Sequence, residues 1–460
     1  MIAPARVAAF DILRAVAAGR ADLPAAIASS RLTLGDDRDK SLAAEIATGV
    51  ERWRAALDYL IEAVAERRID RLDLEVATIL RLSLYQLRYL TRVPAAAVVN
   101  DAVELARKAK KRSASGFVNG VLRTLSRKRG SLPLPPRPDE LADRTAALDY
   151  LSITLSHPRW LVSRWYDRYG FEDTERWLQF NNTQARLTLR ANRLKVTRDQ
   201  LAARLAQRDV RVTPGRFAPN ALVVDAGQPL RDVEDGWFVV QDEASQLVSL
   251  LVDPPVGARV LDCCASPGGK TTAMAAAMAD TGLVVACDVR PRRIELLRRT
   301  VAASQSRAVQ IVRADALTPL PFSRAFIRVL LDAPCSGLGT LRRDPDIRWR
   351  RREEDLPVLA AAQSRMLAHA AACVAPGGRL VYATCSSEPE ENEDVIGAFL
   401  ATTRSFALVD ARGIAGVPPA VIDARGYLRT LPHRHGLEAF FGAVLEHTVR
   451  DRERRTASDL

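Results

Sequence analysis

The chain is expected to be an α/β protein in three parts: an all-helical N-terminal domain, a small mixed α+β domain and a C-terminal doubly wound sheet. Three observations predict this. Apolar residues in the first 128 positions recur at helical steps, and four prolines crowd residues 129–138. From residue 241 onward, short apolar runs ending in an acid alternate with helical patterns. A length of 460 residues also exceeds what a single core usually organises.

In chain order, Val7, Phe10, Leu13 and Val16, and later Ile79, Leu82, Tyr85 and Tyr89, follow three- and four-residue spacing. No alternating strand pattern interrupts them, so residues 1–128 read as a helical domain with its own core. The segment RGSLPLPPRP at 129–138 reads as a stiff, extended linker, because proline locks φ and removes donors. Residues 139–240 read as the small mixed domain. It has helices over 142–155 and 159–180 and strands in RLTLRANRL and NALVVDAG.

Within 241–450, the runs ARVLD (258–262), LVVACD (283–288), VQIVRAD (309–315) and FIRVLLD (326–332) read as parallel strands, and GGRLVYATC (377–385) as a fifth. Ligands of such sheets bind beyond the carboxyl ends of the strands. Asp262, Asp288, Asp315 and Asp332 end the first four runs and are expected to line one crevice. Residues 451–460 read as a tail.

Hydrophobic residues at 48% and charged residues at 27% exclude a mainly disordered or fibrous chain. Six cysteines are too few for a disulfide scaffold. No uncharged apolar run reaches the ~18 residues of a membrane span. The N-terminus has a helical rather than a signal-type pattern, so a soluble, reducing, cytoplasmic setting is expected. A monomer is expected as well. The formal charge is +12, carried by 60 Arg and seven Lys, which a GC-rich genome could explain by itself. Its distribution says more. Residues 1–128 hold 22 basic against 15 acidic residues, and 107–129 hold nine basic residues and no acid. That stretch suits phosphate binding, with a solvated helix face as the plainer alternative.

The first strand leads into LDCCASPGGKTT. Gly268 and Gly269 let the backbone turn tightly against a ligand, and the helix after them points N–H groups at negative charge. A phosphate-binding P-loop needs glycine where Cys264 stands, so an ATPase fits poorly; a structural strand-to-helix turn remains open. Asp288 is suitably placed for a ribose diol and Asp315 for an adenine amino group, although each alone could be a helix cap. The series suggests a cofactor with ribose and base but no phosphates. In LLDAPCSG and VYATCSS, Cys335 and Cys385 stand at strand ends, where a thiolate can act as nucleophile. Cys287 and Cys373 read as inert core residues. No metal is expected, since there is no C-x-x-C and the His433–His435 pair lacks ligand partners nearby in sequence. His157, before Pro158, reads as a loop or cap residue.

CASPGGKTT, DAPCSG, TCS and PEENE, in that order, resemble the S-adenosylmethionine-dependent RNA 5-methylcytosine methyltransferases of the NOL/NOP/Sun family. VQDEASQL, SHPRWLVSRW and RLTLRANR resemble that family's preceding domain. DRDKSLAAEIATGVERW, YQLRYLTRVPAAAVVNDAVELA and FVNGVLRTL resemble the helical NusB-like RNA-binding domain. The combination is that of bacterial small-subunit (16S) rRNA members, and it covers nearly the whole chain.

The resemblance implies a Rossmann-like class I methyltransferase domain. S-adenosylmethionine would be held by Cys264, Ala265, Ser266, Pro267, Gly268, Gly269, Lys270, Asp288, Asp315 and Asp332. It implies Cys385 as nucleophile, Cys335 as the helper of product release, Asp332 on the cytosine edge, and Lys270 reaching that base or the methionine carboxylate. The substrate implied is 16S rRNA, unassembled or partly assembled. Residues 107–129 and the loop 342–352, with six Arg, are the expected contact surfaces. Both cysteines together favour RNA over DNA. Two departures stand out: Ser266 where alanine is usual, and Glu438-Ala439 where the family has Asp-Gly. A tRNA cytosine-5 methyltransferase and a non-catalytic NusB-like factor are the alternatives.

Overall fold

The structure, a computed structural model, describes residues 2–128, 131–139, 143–230 and 236–448. The 451–460 tail, the start of the proline-rich segment and Arg129 lie outside the described residues. The chain divides into two compact units, Met1–Gln184 with Leu341–Glu353, and Ala185–Thr340 with Glu354–Leu460.

The first unit is helical. Pro4–Ala17, Leu23–Arg31, Asp37–Arg52, Arg54–Ala65, Leu74–Tyr89, Ala95–Lys108 and Ser115–Arg127 share one core containing Phe10, Leu13, Ile46, Leu57, Ile79 and Leu122. Leu74–Tyr89 is buried continuously from Val76 to Leu87, as a helix apolar on all sides must be. Ser115–Arg127 instead buries only Val118, Val121, Leu122 and Leu125, one stripe, which leaves Arg123 and Arg127 in solvent. Asp22 caps its helix by accepting the Ala25 N–H at 2.9 Å.

The proline-rich segment is extended but pinned. Leu132 and Leu134 pack on the helical core. The Thr154 hydroxyl donates to the Pro135 carbonyl at 2.6 Å, and Arg137 pairs with Glu172 and Glu175. The helix expected over 142–155 is an α-helix, Arg144–Asp149, continued by a π-helical turn, Tyr150–Thr154. The next helix, Arg159–Asn182, is broken at Gly170, where φ is +76°. His157 lies between them as a buried core residue. Its Nδ1 faces the Leu155 carbonyl at 2.7 Å and its Nε2 the Asn181 amide at 3.2 Å. Burial, and then Arg348, hold its pKa well below the ordinary value.

The second unit holds two sheets. β1 (Thr188–Ala191), β2 (Arg211–Pro214), β3 (Ala221–Ala226) and β4 (Phe238–Val240) form an antiparallel sheet in the order β2-β3-β1-β4. β5 (Arg259–Asp262), β6 (Leu283–Asp288), β7 (Val309–Arg313), β8 (Phe326–Asp332) and β9 (Val374–Thr384) are parallel. They are joined by β10 (Phe406–Val409), β11 (Leu428–Thr430) and β12 (Phe440–His447) in the order β10-β12-β9-β8-β5-β6-β7, with β11 on β12.

Alternation along the parallel strands explains the double winding. Val260, Val284 and Leu330 join one core with Leu247 and Met274, from helices Glu243–Val252 and Gly269–Ala277. Their neighbours Leu261, Val285 and Leu331 join another with Leu367 and Ile396, from Asp355–Ala371 and Glu393–Thr402. The sheet is not parallel throughout. β12 pairs antiparallel with both β9 and β10, and its eight residues are nearly all buried between them.

Candidate active site at the carboxyl ends of the sheet

β5 delivers Asp262, fully buried, and the chain then turns through residues 263–268 into the helix Gly269–Ala277. Gly268 makes that turn with φ +102°, and a Cβ there would also lie 2.9 Å from Leu297. The Ala265 N–H donates to the Cys287 carbonyl at 2.8 Å, and the Gly268 N–H to the Ala265 carbonyl at 2.7 Å. Pro267 follows a cis peptide bond. At the end of β6, Asp288 is buried. Its Oδ2 accepts the Ser266 N–H at 3.3 Å and its Oδ1 the Val289 N–H at 2.9 Å. The turn is thus tied to the neighbouring strand through the acid that follows it.

Asp332, at the end of β8, pairs with the Lys270 ammonium at 2.6 Å. Burial alone would push Lys270 down, but Asp332 outweighs it and holds the ammonium above its ordinary value. Asp262 behaves oppositely. Burial pushes its carboxyl up to about 7, against the Thr271 hydroxyl that donates to it at 2.7 Å. Cys264 is likewise raised, by burial and then by Asp262, Asp332 and Asp288. Three of the four strand-end acids thus bear on one thiol, and with burial they favour the thiol over the thiolate. Asp315 sits two residues beyond β7, half-buried, and its Oδ1 accepts the Leu317 N–H at 2.9 Å. One of its oxygens therefore closes a turn.

Cys335, three residues after β8, and Cys385, immediately after β9, bring their Sγ atoms within 3.3 Å. Adjacent parallel strands make this possible, since both loops leave the same edge. Cys335 is raised well above its ordinary value by its bond to Cys385, then by burial and by the charges of Cys385 and Glu391. Cys263 is fully buried in a hydrophobic core, as are Cys287 and Cys373.

Several participants had no assigned role in the sequence reading. Gly339 donates its N–H to the Cys385 carbonyl at 2.9 Å and accepts the Ala439 N–H at 2.9 Å, so the Glu438-Ala439 departure is accommodated by backbone pairing. Lys270 Nζ lies 5.7 Å from the Phe440 ring centroid. Arg190, on β1, is buried and donates to the Gln241 side chain, the Gly269 carbonyl and, at 2.8 Å, the Thr272 hydroxyl. It fastens the small sheet to the helix after the glycine turn. The only signal of this in sequence is an arginine within an apolar strand.

The expectation that loop 342–352 offers its arginines as a contact surface needs correction at Arg348, whereas Arg350 and Arg352 are exposed. Arg348 is fully buried in the first unit. It donates to the carbonyls of Ser156 (2.8 Å), Arg52 (3.2 Å) and Leu341 (3.3 Å), and to Asn182 Oδ1 (3.1 Å). Arg350 pairs with the buried Asp346 at 2.7 Å. Carbonyls left over at helix ends and turns capture the Arg348 guanidinium, and a carboxylate captures that of Arg350. In contrast, Lys108, Lys110, Arg112, Arg123, Arg127 and Lys128 are exposed, whereas Arg107 pairs with Glu104 and Lys111 with Asp73 and Glu75.

The residues of the turn suit S-adenosylmethionine. Ser266 Oγ is buried without a hydrogen-bond partner, the backbone approaches closely at Gly268 and Gly269, and acids follow on the two adjacent strands. Among the described residues no group of three His, Cys, Asp or Glu could hold a metal ion, and no helix is long and apolar enough to cross a membrane.

A doubly wound sheet carrying these groups at its carboxyl edge defines an S-adenosylmethionine-dependent methyltransferase. Residues 249–446 match the family profile described as 16S rRNA methyltransferase RsmB/F, residues 3–127 the NusB family, and residues 157–231 the RsmF/B-like ferredoxin-like domain. The chain is 33% identical to a probable ribosomal RNA small subunit methyltransferase B of Bacillus subtilis, over 88% of this chain and 90% of that protein. It is 34% identical to ribosomal RNA small subunit methyltransferase B of Pseudomonas syringae pv. tomato, over 96% of both. The crystal structure of PH0851 covers 97% of this chain and 99% of its own, with TM-score 0.80 and 26% identity. The chain belongs to the RsmB/F family of 16S rRNA methyltransferases.

Proposed function

We propose that the chain methylates carbon 5 of a specific cytosine in 16S rRNA through a covalent bond between Cys385 and that cytosine. The observation carrying this reading is the pair of thiols, Cys335 and Cys385, at 3.3 Å, beside the Lys270–Asp332 pair. Carbon 5 of cytosine is too weak a nucleophile to be methylated directly. Bond formation between the Cys385 thiolate and carbon 6 turns the ring into an enamine whose carbon 5 is nucleophilic. S-adenosylmethionine, when bound, supplies an electrophilic methyl group. Cys385 leaves once a base has taken the proton from carbon 5, and Cys335 assists that release.

In this reading Asp332 engages the amino and ring-nitrogen edge of the base, and Lys270 holds its carboxylate and supports negative charge there. Residues 264–270, Asp288, Asp315 and Asp332 bind the cofactor. The target base must be unstacked to reach a pocket at the strand ends. The exposed cations of 108–128 support phosphate binding by the helical domain. Two thiols 3.3 Å apart that must both stay reduced call for a reducing compartment, which supports a cytoplasmic enzyme. A monomer acting on unassembled or partly assembled small-subunit rRNA, with domains at 1–128, 139–240 and 241–450, completes the proposal.

Bisulfite sequencing of rRNA from a strain lacking the gene tests it. One newly unprotected cytosine in 16S rRNA is expected. An unchanged 16S pattern, or loss of protection in a tRNA instead, overturns it.

A further inference from the structure

The two cysteine loops are joined by a carboxylate that belongs to neither. Glu391 lies in the 3-10 turn Pro389–Glu391 and is fully buried. Its Oε1 accepts the backbone N–H of Ser336 at 2.8 Å and the Gln363 amide at 2.9 Å, and its Oε2 accepts the Ser386 hydroxyl at 2.5 Å. Ser336 and Ser386 directly follow the two cysteines, and their hydroxyls lie 3.0 Å apart. The turn itself is anchored. Tyr382 donates to the Glu391 carbonyl at 2.6 Å, and Asn392 spans the Thr384 hydroxyl and the Ser386 carbonyl at 2.5 and 3.0 Å.

We propose that Glu391 is a positioning residue for the thiol pair, one carboxylate holding the Cys335 and Cys385 loops in register across two strands. The proposal rests on the reading that both thiols act on the same cytosine. Covalent attack by one thiol and assistance by the other require both to meet one ring, and an error near 1 Å costs about a hundredfold in rate. Neighbouring strands alone do not set that precision, because each loop has left the ladder before its cysteine. The bridge supplies it. The charge of Glu391 also helps keep Cys335 a neutral thiol beside Cys385, after their mutual bond and burial.

The test compares the full-length protein with Glu391→Ala and Glu391→Gln. A glutamine keeps an acceptor for Ser336 and an amide that can donate to Ser386, so geometry stays and charge goes. The first readout needs no RNA: diamide oxidises the two thiols to a Cys335–Cys385 disulfide, is itself reduced to the hydrazine, and the product is counted by mass spectrometry. The second is the pH profile of Cys335 alkylation by iodoacetamide. The third is kcat against KM for 16S rRNA.

Glu391→Ala is expected to slow disulfide formation and lower kcat, each about tenfold or more, with KM unchanged. Glu391→Gln should keep the wild-type disulfide rate and move the alkylation profile to lower pH. Should the alanine variant fail to fold, Ser386→Ala, which removes the Oε2 leg together with the Ser386 hydroxyl's contacts to the Ser336 hydroxyl and the Glu388 N–H, replaces it with the same expectations. A folded alanine variant that forms the disulfide at the wild-type rate overturns the proposal. If disulfide rates respond as expected while wild-type protein forms no adduct with RNA, the functional reading falls and the positioning role stands.

Discussion

The Lys270 ammonium lies 2.6 Å from the Asp332 carboxylate, joining the first turn of the helix after β5 to the end of β8. The partner of each is the other's counter-charge, so neither is removed without consequence for its neighbour. Lys270→Met should leave Asp332, the proposed partner of the base edge, without its cation. The expected loss in single-turnover methylation is on the order of a hundredfold or more, typical of a positioned proton-transfer or charge-stabilising group. A variant within a few-fold of wild type contradicts this role.

Gly339 is tightly enclosed beside Cys385. A Cβ there would meet the Ala439 carbonyl oxygen at 2.0 Å and the Cys385 carbonyl oxygen at 2.7 Å. Backbone must shift to admit it, at a cost of about 1–3 kcal/mol. Gly339→Ala should therefore lower the melting temperature modestly and reduce methylation far more than S-adenosylmethionine affinity measured by calorimetry. Equal losses in both would show that the displacement does not centre on Cys385.

Arginines of this chain separate into those that bind the protein and those available to phosphate. Arg348→Met strips donors from three carbonyls and an amide oxygen, each costing roughly 1–3 kcal/mol when left unpaired, so thermal unfolding should shift strongly. The salt dependence of RNA binding by folded protein should not change. Arg123→Ala and Lys128→Ala should do the reverse, leaving stability within about 0.5 kcal/mol. Each should also flatten the plot of log affinity against log salt by about 0.7 to 0.9. Filter-binding titrations across salt distinguish the two classes.

Asp262 predicts a pH dependence of stability. Its folded pKa of about 7 lies above the ordinary 3.8, so the folded state holds a proton that the unfolded chain releases. Its contribution is fully present below about pH 4 and is lost as pH rises through 7. Relative to Asp262→Asn, wild type should lose about 2 kcal/mol between pH 5 and pH 7, at roughly 1.4 kcal/mol per unit. Urea titrations of both proteins at the two pH values measure it. A constant difference contradicts the assignment.

Much of this architecture can be read from spacing. LVVACD and FIRVLLD coincide with β6 and β8, because an apolar run ended by an acid marks both burial and the carboxyl edge. The glycine turn and the two cysteines are legible for the same reason: chemistry at a strand end demands particular residue types. Features that depend on distant partners are not legible. Nothing local distinguishes Arg348, a buried donor to four acceptors, from Arg123 in solvent. β12 also runs apolar up to an acid, Glu446, yet it pairs antiparallel, and the strand rhythm of the earlier runs does not announce that reversal. Glu391 looks like one more surface acid in PEENE until the fold brings Ser336 and Ser386 to it.

The central claim, that Cys385 bonds to carbon 6 of the target cytosine and Cys335 acts in release, is tested most directly by trapping. Cys335→Ala protein is incubated with S-adenosylmethionine and 16S rRNA, denatured, digested and mapped by mass spectrometry. A denaturation-resistant adduct in which Cys385 carries a 5-methylated cytosine is expected, absent from Cys335→Ala/Cys385→Ala protein. An adduct through any other residue, or normal turnover by Cys385→Ala, would contradict it.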